Sequence, residues 1–360
     1  MRLEMEEGDA AVARLGATDV PALLEPLGFA DIDAGDVTRL SGGDVNATFR
    51  VGAARDLVVK VNPRRREQFF LPNVALAEQL AHESAGELVV RVLAYDYRVK
   101  TPHEVIVMRR AEGSTLLHDM LTMPSAEMEA VLRQVFRLMK RFEDIHFESF
   151  GFFGDGVILG GGDRCLRQYE TCAEFILSGC VVPNLIELLT RGDCDADDYE
   201  QIERYVRQYA HVFDAGDERP SFVDTDVHWA NILHKGGRLS ALLDFDFSVR
   251  GVRCQALPML LEAIAHPELI APQSDSAEDS EFRVKLATVD LSWVVRVLRE
   301  ELPELFADPH LLRKLNLLHI KELLWMAVHC PHGNELQQVL ERELVPDELL
   351  GDTHYAKILT

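Results

Sequence analysis

Basic side chains are scarce in this chain. Against 60 aspartates and glutamates it carries 37 lysines and arginines, a formal net charge of −23, which opposes any general affinity for nucleic acid or an anionic membrane surface. Long apolar runs are missing too. No stretch approaches 18 consecutive apolar residues, and the opening MRLEMEEGDAAVARLG lacks the apolar segment of a signal peptide. No membrane span is expected, and a cytoplasmic location is. Cysteine is sparse: the six cysteines, at 165, 172, 180, 194, 254 and 330, include no Cys-x-x-Cys pair. This argues against a thiolate metal site and against a disulfide framework.

What is present is the composition of a globular protein, 47% hydrophobic and 27% charged over 360 residues, enough for two lobes with a sizeable core. The acid excess would steer a cationic ligand inward; solubility or adaptation to salt accounts for it equally well.

The first 35 or so residues read as helical and peripheral. Branched apolar runs then predict strands at 37–43, 47–51, 56–61, 88–98 and 103–110, with hairpin-length connections among the first three and a helix over 71–84. These make a first lobe, residues 1–110, built on an antiparallel sheet. Residues 111–360 read as mainly helical. Apolar positions recur at three- and four-residue intervals from Met128 to Ile145, and further helices are expected at 202–213, 256–265, 286–302 and 311–329, the last apolar nearly all round and therefore buried. The stretches 192–200, 271–281 and 156–163 read as loops, and Arg64–Arg66 as a solvated turn.

One segment breaks the helical pattern. FVDTDVHWANILHKGGRLSALLDFDF, residues 222–247, sets two strand-like runs about a Gly-Gly turn, so they pair as a hairpin. Asp226 and Asn231 then enter the first strand while Asp244 leaves the second, and all three converge at one end. Two carboxylates and an amide oxygen form a hard-oxygen site suited to Mg²⁺, which recruits phosphate oxygens to complete its shell. An acid to spare can orient a hydroxyl and take its proton.

Asp226, His228, Asn231, Ile232 and Leu233, followed by Asp244 at the end of an apolar strand, resemble the catalytic loop of the aminoglycoside phosphotransferase and choline kinase group, within the eukaryotic-like kinase fold. LSGGDVNATFRV (40–51) is similar to that group's nucleotide loop, LVVKV (57–61) to its lysine strand, and VIVMRRAEGSTL (105–116) to its hinge. The resemblance implies an α+β, two-lobed fold with a small antiparallel-sheet lobe and a larger helical lobe. It also implies ATP and Mg²⁺ as cofactors and transfer of the γ-phosphoryl group to a hydroxyl on a small molecule.

Residue by residue, it implies Asp226 as catalytic base or hydroxyl-orienting acid, and Asn231 and Asp244 as metal ligands. Lys60 would contact the ATP phosphates, oriented by Glu78, with Glu83 as the fallback. Gly42 and Gly43 would let backbone N–H groups approach phosphate oxygens, and Asn46 would tighten that turn or meet a phosphate. Adenine would bond to the backbone at Val107, Met108 and Arg109. His228 is expected to brace its loop and His146 to pack; Asp246 either helps the metal or substrate or caps the turn. Asp224 and Thr225 stand where the group has His-Gly, which changes the brace and adds charge beside Asp226. Trp229 replaces a common proline, and its bulk is expected to shape the substrate entrance.

The absence of an Ala-Pro-Glu run after LDFDFSVRG argues against a protein kinase. A cationic amino sugar or aminoglycoside-like antibiotic leads as substrate. Choline-, methylthioribose- and homoserine-type metabolic alcohols remain open, as does a catalytically silent nucleotide-binding module.

Overall fold

The computed structural model describes residues 15–40, 46–52, 56–62, 71–153, 168–216, 219–272, 276–329 and 333–359. Gly42, Gly43, Arg64–Arg66 and the glycine run 156–163 lie outside them.

Strands β1 (Val37–Arg39), β2 (Ala47–Val51), β3 (Leu57–Asn62), β4 (Val92–Tyr97) and β5 (Glu104–Arg109) form one antiparallel sheet in the order β1-β2-β3-β5-β4. Strand alternation sorts its side chains. Phe49, Val51, Val59, Val61, Val105 and Val107 share one face, closed by Val20 and Leu24 of a short helix. Lys60, out of step with Val59 and Val61, falls on the other face, where Ile106, Met108 and Val92 meet Ala75 of helix α1 (Leu71–Ala85). A lysine thus stands on the side of the sheet facing the rest of the chain.

The remainder is mainly helical: α2 (Ser125–Phe142), α3 (Cys172–Arg191), α4 (Ala196–Tyr209), α5 (Leu257–Ala265), α6 (Ala277–Leu286), α7 (Trp293–Glu301), α8 (Leu311–His329) and α9 (His354–Leu359). As expected, α2 buries Met128, Val131, Leu132, Val135, Leu138, Met139 and Phe142 along one stripe. Helix α8 is buried nearly all round; even Arg313 and Lys314 are covered, paired with Asp347 at 2.6 Å and Asp308 at 2.8 Å. Helix α3 is long and apolar enough to cross a membrane by length and composition alone. It buries Phe175, Ile176, Gly179, Cys180, Val181, Leu185 and Leu188 in the same core as α8.

Three readings are corrected. The acidic stretches 192–200 and 271–281 are helical from Ala196 and Ala277 onward, because Asp195 accepts the Asp198 N–H and Ser276 the Asp279 N–H, starting α4 and α6. Acids in those first turns favour the positive helix ends. The helix expected over 286–302 is confined to Trp293–Glu301: α6 ends at Leu286, and the Asp290 carboxylate takes the Ser292 N–H at 2.9 Å before α7 begins.

The hairpin lies where the sequence places it. β9 (Ile232–Lys235) and β10 (Arg238–Leu242) pair about Gly236 and Gly237, at φ +59° and +69°, the left-handed pair that a two-residue turn requires. Its first strand also pairs with β6 (Ser114–Thr115). Gly113, entering β6 at φ +127°, admits no side chain: a Cβ would lie 2.5 Å from the His234 carbonyl oxygen. A separate small sheet sets β11 (Val249–Gly251) between β7 (Gly151–Phe152) and β8 (Ser221–Val223). Two connections, 224–231 and 243–248, therefore run between these sheets, tied where the Leu243 N–H donates to the Asn231 carbonyl at 2.8 Å.

Candidate active site

The loop after β8 is held from four sides. Asp224 Oδ1 accepts the Asp226 N–H at 3.0 Å, and Thr225 Oγ1 donates to the Phe247 carbonyl at 2.6 Å, fastening this loop to the one after β10. Trp229, fully buried, donates its indole N–H to the Ala263 carbonyl of α5 at 2.7 Å. It points into the core and so does not shape a substrate entrance; the ring's burial and its single N–H select an inward anchor. His228 braces the loop as expected, with Nδ1 3.3 Å from the Ala230 N–H and Nε2 3.7 Å from Asp226 Oδ1. Burial lowers its pKa to about 4, outweighing the pull of Asp244, so the ring is neutral. His146 takes part in a backbone bridge to Ser221.

Asn231 turns its amide nitrogen to the Asp226 carbonyl at 3.0 Å and to Asp226 Oδ2 at 3.4 Å. Asp226 supplies two acceptors to this nitrogen, with His228 Nε2 also 3.3 Å away, and the amide so turned leaves Oδ1 for a cation. Asp244 holds a left-handed backbone, φ +65°, uncommon outside glycine. There it receives the Lys60 ammonium at 2.6 Å. Asp246, whose reading was open, binds Lys60 at 3.1 Å and receives the Asn46 amide at 3.1 Å. It joins Asn46, just before β2, to the lysine.

Glu78 is on the expected helix and within charge range of Lys60, yet neither of its oxygens has a hydrogen-bond partner, and it is fully buried. The lysine is oriented by Asp244 and Asp246, not by Glu78. The strand expected to meet adenine lies inside the sheet. β5 is paired on both sides, with β3 through Arg109 and with β4 through Met108, and the Arg109 N–H bonds the Arg91 carbonyl. The backbone of Val107, Met108 and Arg109 is committed to the sheet.

Burial among like charges dominates the electrostatics. Asp226 is pushed well above the carboxylate range, by burial first and then by Asp244, Asp224 and Asp246. Burial likewise lifts Asp224 to about 7 and Glu78 to about 8, although Lys60 opposes the latter. Burial would raise Asp244 as well, but Lys60 and the hydrogen bonds it shares with Lys60 and Asp246 bring it down to about 2. Asp246 moves the opposite way, from burial and then repulsion by Asp244. Burial would lower Lys60, but Asp244, Asp246 and Glu78 outweigh it and keep the ammonium charged. Asp244 and Asp246 bond the Lys60 ammonium and Glu78 lies within its charge range, while Asp226, Asp244 and the Asn231 amide oxygen make a donor set suited to a hard divalent cation.

The family model of the phosphotransferase enzyme family, APH, matches residues 36–290. The chain belongs to that family. The recognition made from the catalytic loop, and the expectation of an enzyme that phosphorylates an alcohol group, stand with it. A candidate fructosamine-3-kinase from Thermobifida fusca YX-ER1 superposes at a TM-score of 0.61 with 19% identity, covering 91% of this chain and 98% of its own. A thermostable mutant of aminoglycoside phosphotransferase APH(4)-Ia, in ternary complex with AMP-PNP and hygromycin B, gives 0.58 at 18% identity over 93% and 99%. A second candidate fructosamine-3-kinase, from Haemophilus somnus 129PT, gives 0.55 at 13% over 95% and 97%. At these identities the shared property is the two-lobed kinase-like α+β fold, as expected from the sequence. No curated protein sequence matches.

Proposed function

We propose that this phosphotransferase moves the γ-phosphoryl group of ATP, with Mg²⁺, to a hydroxyl of a cationic amino sugar or aminoglycoside-like antibiotic. The observation that carries the reading is the meeting of Asp226, Asn231, Asp244 and Lys60, drawn from two sheets. Asp226 orients the acceptor hydroxyl and takes its proton; Asn231 Oδ1 and Asp244 hold the metal; Lys60 holds phosphate oxygens. Mg²⁺, when bound, neutralises phosphate charge. Gly42, Gly43 and Asn46 cover the phosphates. Residues 1–110 act as the nucleotide lobe and 111–360 as the catalytic and substrate lobe, in a cytoplasmic protein.

A cationic acceptor is supported by the −23 formal charge. The Asp224 brace supports activity over a silent module, since it fixes the Asp226 backbone without the usual histidine. The test is a panel of amino sugars, aminoglycosides, choline, methylthioribose and homoserine, assayed by mass spectrometry for ATP-dependent gain of one phosphate. Phosphorylation confined to uncharged or metabolic alcohols would move the substrate class. No acceptor turnover, with no Mg²⁺-dependent ATP hydrolysis, would leave a nucleotide-binding module.

A further inference from the structure

Behind the catalytic loop, three helices bring together side chains that the phosphotransfer site does not use. Glu262 on α5, His319 on α8 and His354 on α9 each offer a ligand atom, and these atoms all lie within 4.8 Å of one another. His354 Nε2 is 2.5 Å from Glu262 Oε1, and the two imidazoles stack with centroids 4.6 Å apart. His319 is only 9% exposed, and its Nδ1 lies 3.3 Å from Glu343 Oε1, a charge contact without the alignment of a hydrogen bond.

Two imidazoles and a carboxylate are the donors of a borderline metal, not of Mg²⁺. We propose that Glu262, His319 and His354 bind one zinc-class divalent ion, distinct from the magnesium of phosphotransfer, which clamps the C-terminal helix α9 to α5 and α8. An ion about 2.0–2.1 Å from each donor places donors roughly 3.4 Å apart in a tetrahedron. His354 Nε2 and Glu262 Oε1 stand closer than that and the other pairs within 4.8 Å, so small side-chain rotations about the ion suffice to close the set. One outer group is in place, since Glu343 stands 3.3 Å from His319 Nδ1 and leaves Nε2 for the metal. Glu343, beside His319, is fixed by the Asn316 amide at 2.9 Å, and Glu322 receives the Tyr355 hydroxyl at 2.6 Å on the same two helices, α8 and α9. Because the Ala263 carbonyl, next to Glu262, holds Trp229, the clamp also stiffens the support of the catalytic loop.

The experiment uses the full chain stripped of metal, without nucleotide and with excess Mg²⁺ to occupy the acid site. Zn²⁺ titrated by calorimetry is expected to bind at one equivalent, to raise the thermal midpoint, and to bind at least tenfold more weakly to His354→Ala and to Glu262→Gln. X-ray absorption of the zinc-loaded wild type is expected to show two imidazole ligands, a reading that needs no variant. Absence of binding, an oxygen-only shell, or wild-type affinity in either folded variant would overturn the site.

Discussion

Lys60 Nζ lies 2.6 Å from Asp244 Oδ1 and 3.1 Å from Asp246 Oδ1, joining the sheet-rich and helical parts of the chain through groups 184 and 186 positions apart. A strand lysine alone is usually solvated; here its aliphatic stem is covered, and Asp244, Asp246 and the buried Glu78 keep its head charged. Removing it leaves those acids uncompensated. Lys60→Ala is expected to destabilise the nucleotide-free protein by about 1–3 kcal/mol, below the cost of breaking a fully buried pair because Asp244 is part-exposed. It should also reduce kcat/KM for ATP. Urea unfolding at wild-type midpoint and slope would contradict the pairing.

Asp226 faces no cation directly and is crowded by three other acids, a poor arrangement for stability and a suitable one for a group that accepts a proton. Asp226→Ala is expected to lower turnover by roughly two to four orders of magnitude, the range for loss of a general base, while ATP affinity is kept. Turnover near wild type in a steady-state assay would remove it from the chemistry.

Asp244 has a different task. Held low, to about 2, by Lys60, it is ionised across the whole working range and ready for a divalent ion. Asp244→Ala is expected to weaken Mg-ATP binding at least tenfold in calorimetry, with little change for ATP measured in EDTA. Equal losses in both conditions would assign it to the lysine alone.

How far the sequence was readable follows from what each feature depends on. Lys60 reaches the cleft because strand alternation sets it opposite Val59 and Val61, and the hairpin closes because Gly236 and Gly237 take positive φ; both are local rules. The acid-rich stretches misled because Asp195 and Ser276 could cap a helix or sit in a loop, and only the following turn decides. Trp229 turning inward, Glu78 left without a partner and Asp246 reaching Asn46 depend on groups distant in sequence. No spacing announces them. The triad of Glu262, His319 and His354 is of the same kind, three helices each contributing one residue.

Asp224 tests how one acid tunes another. Its Oδ1 holds the Asp226 N–H at 3.0 Å, a bond an amide oxygen can also make, so Asp224→Asn keeps the brace and deletes the charge. Asp224 is one of the groups raising Asp226. Its removal therefore lowers the pKa of the base, and the acidic limb of the kcat/KM profile is expected to move to lower pH. A limb that stays in place or rises would mean that another group sets it.

Glu78 makes a claim about stability. It is fully buried without a hydrogen-bond partner, and burial lifts it to about 8, against about 4.3 in an unfolded chain. The folded state therefore holds this proton where the unfolded state has released it. The stabilisation is complete below the unfolded value and declines as pH rises toward about 8. Asp224, raised to about 7, acts in the same direction. The thermal midpoint of the nucleotide-free protein is expected to fall between about pH 5 and pH 8.5, and Glu78→Gln, which has no proton to release, should make that fall shallower. Differential scanning calorimetry at matched ionic strength reads the difference directly. Parallel curves for the two proteins would show that Glu78 is ionised in the fold and paired with Lys60 after all.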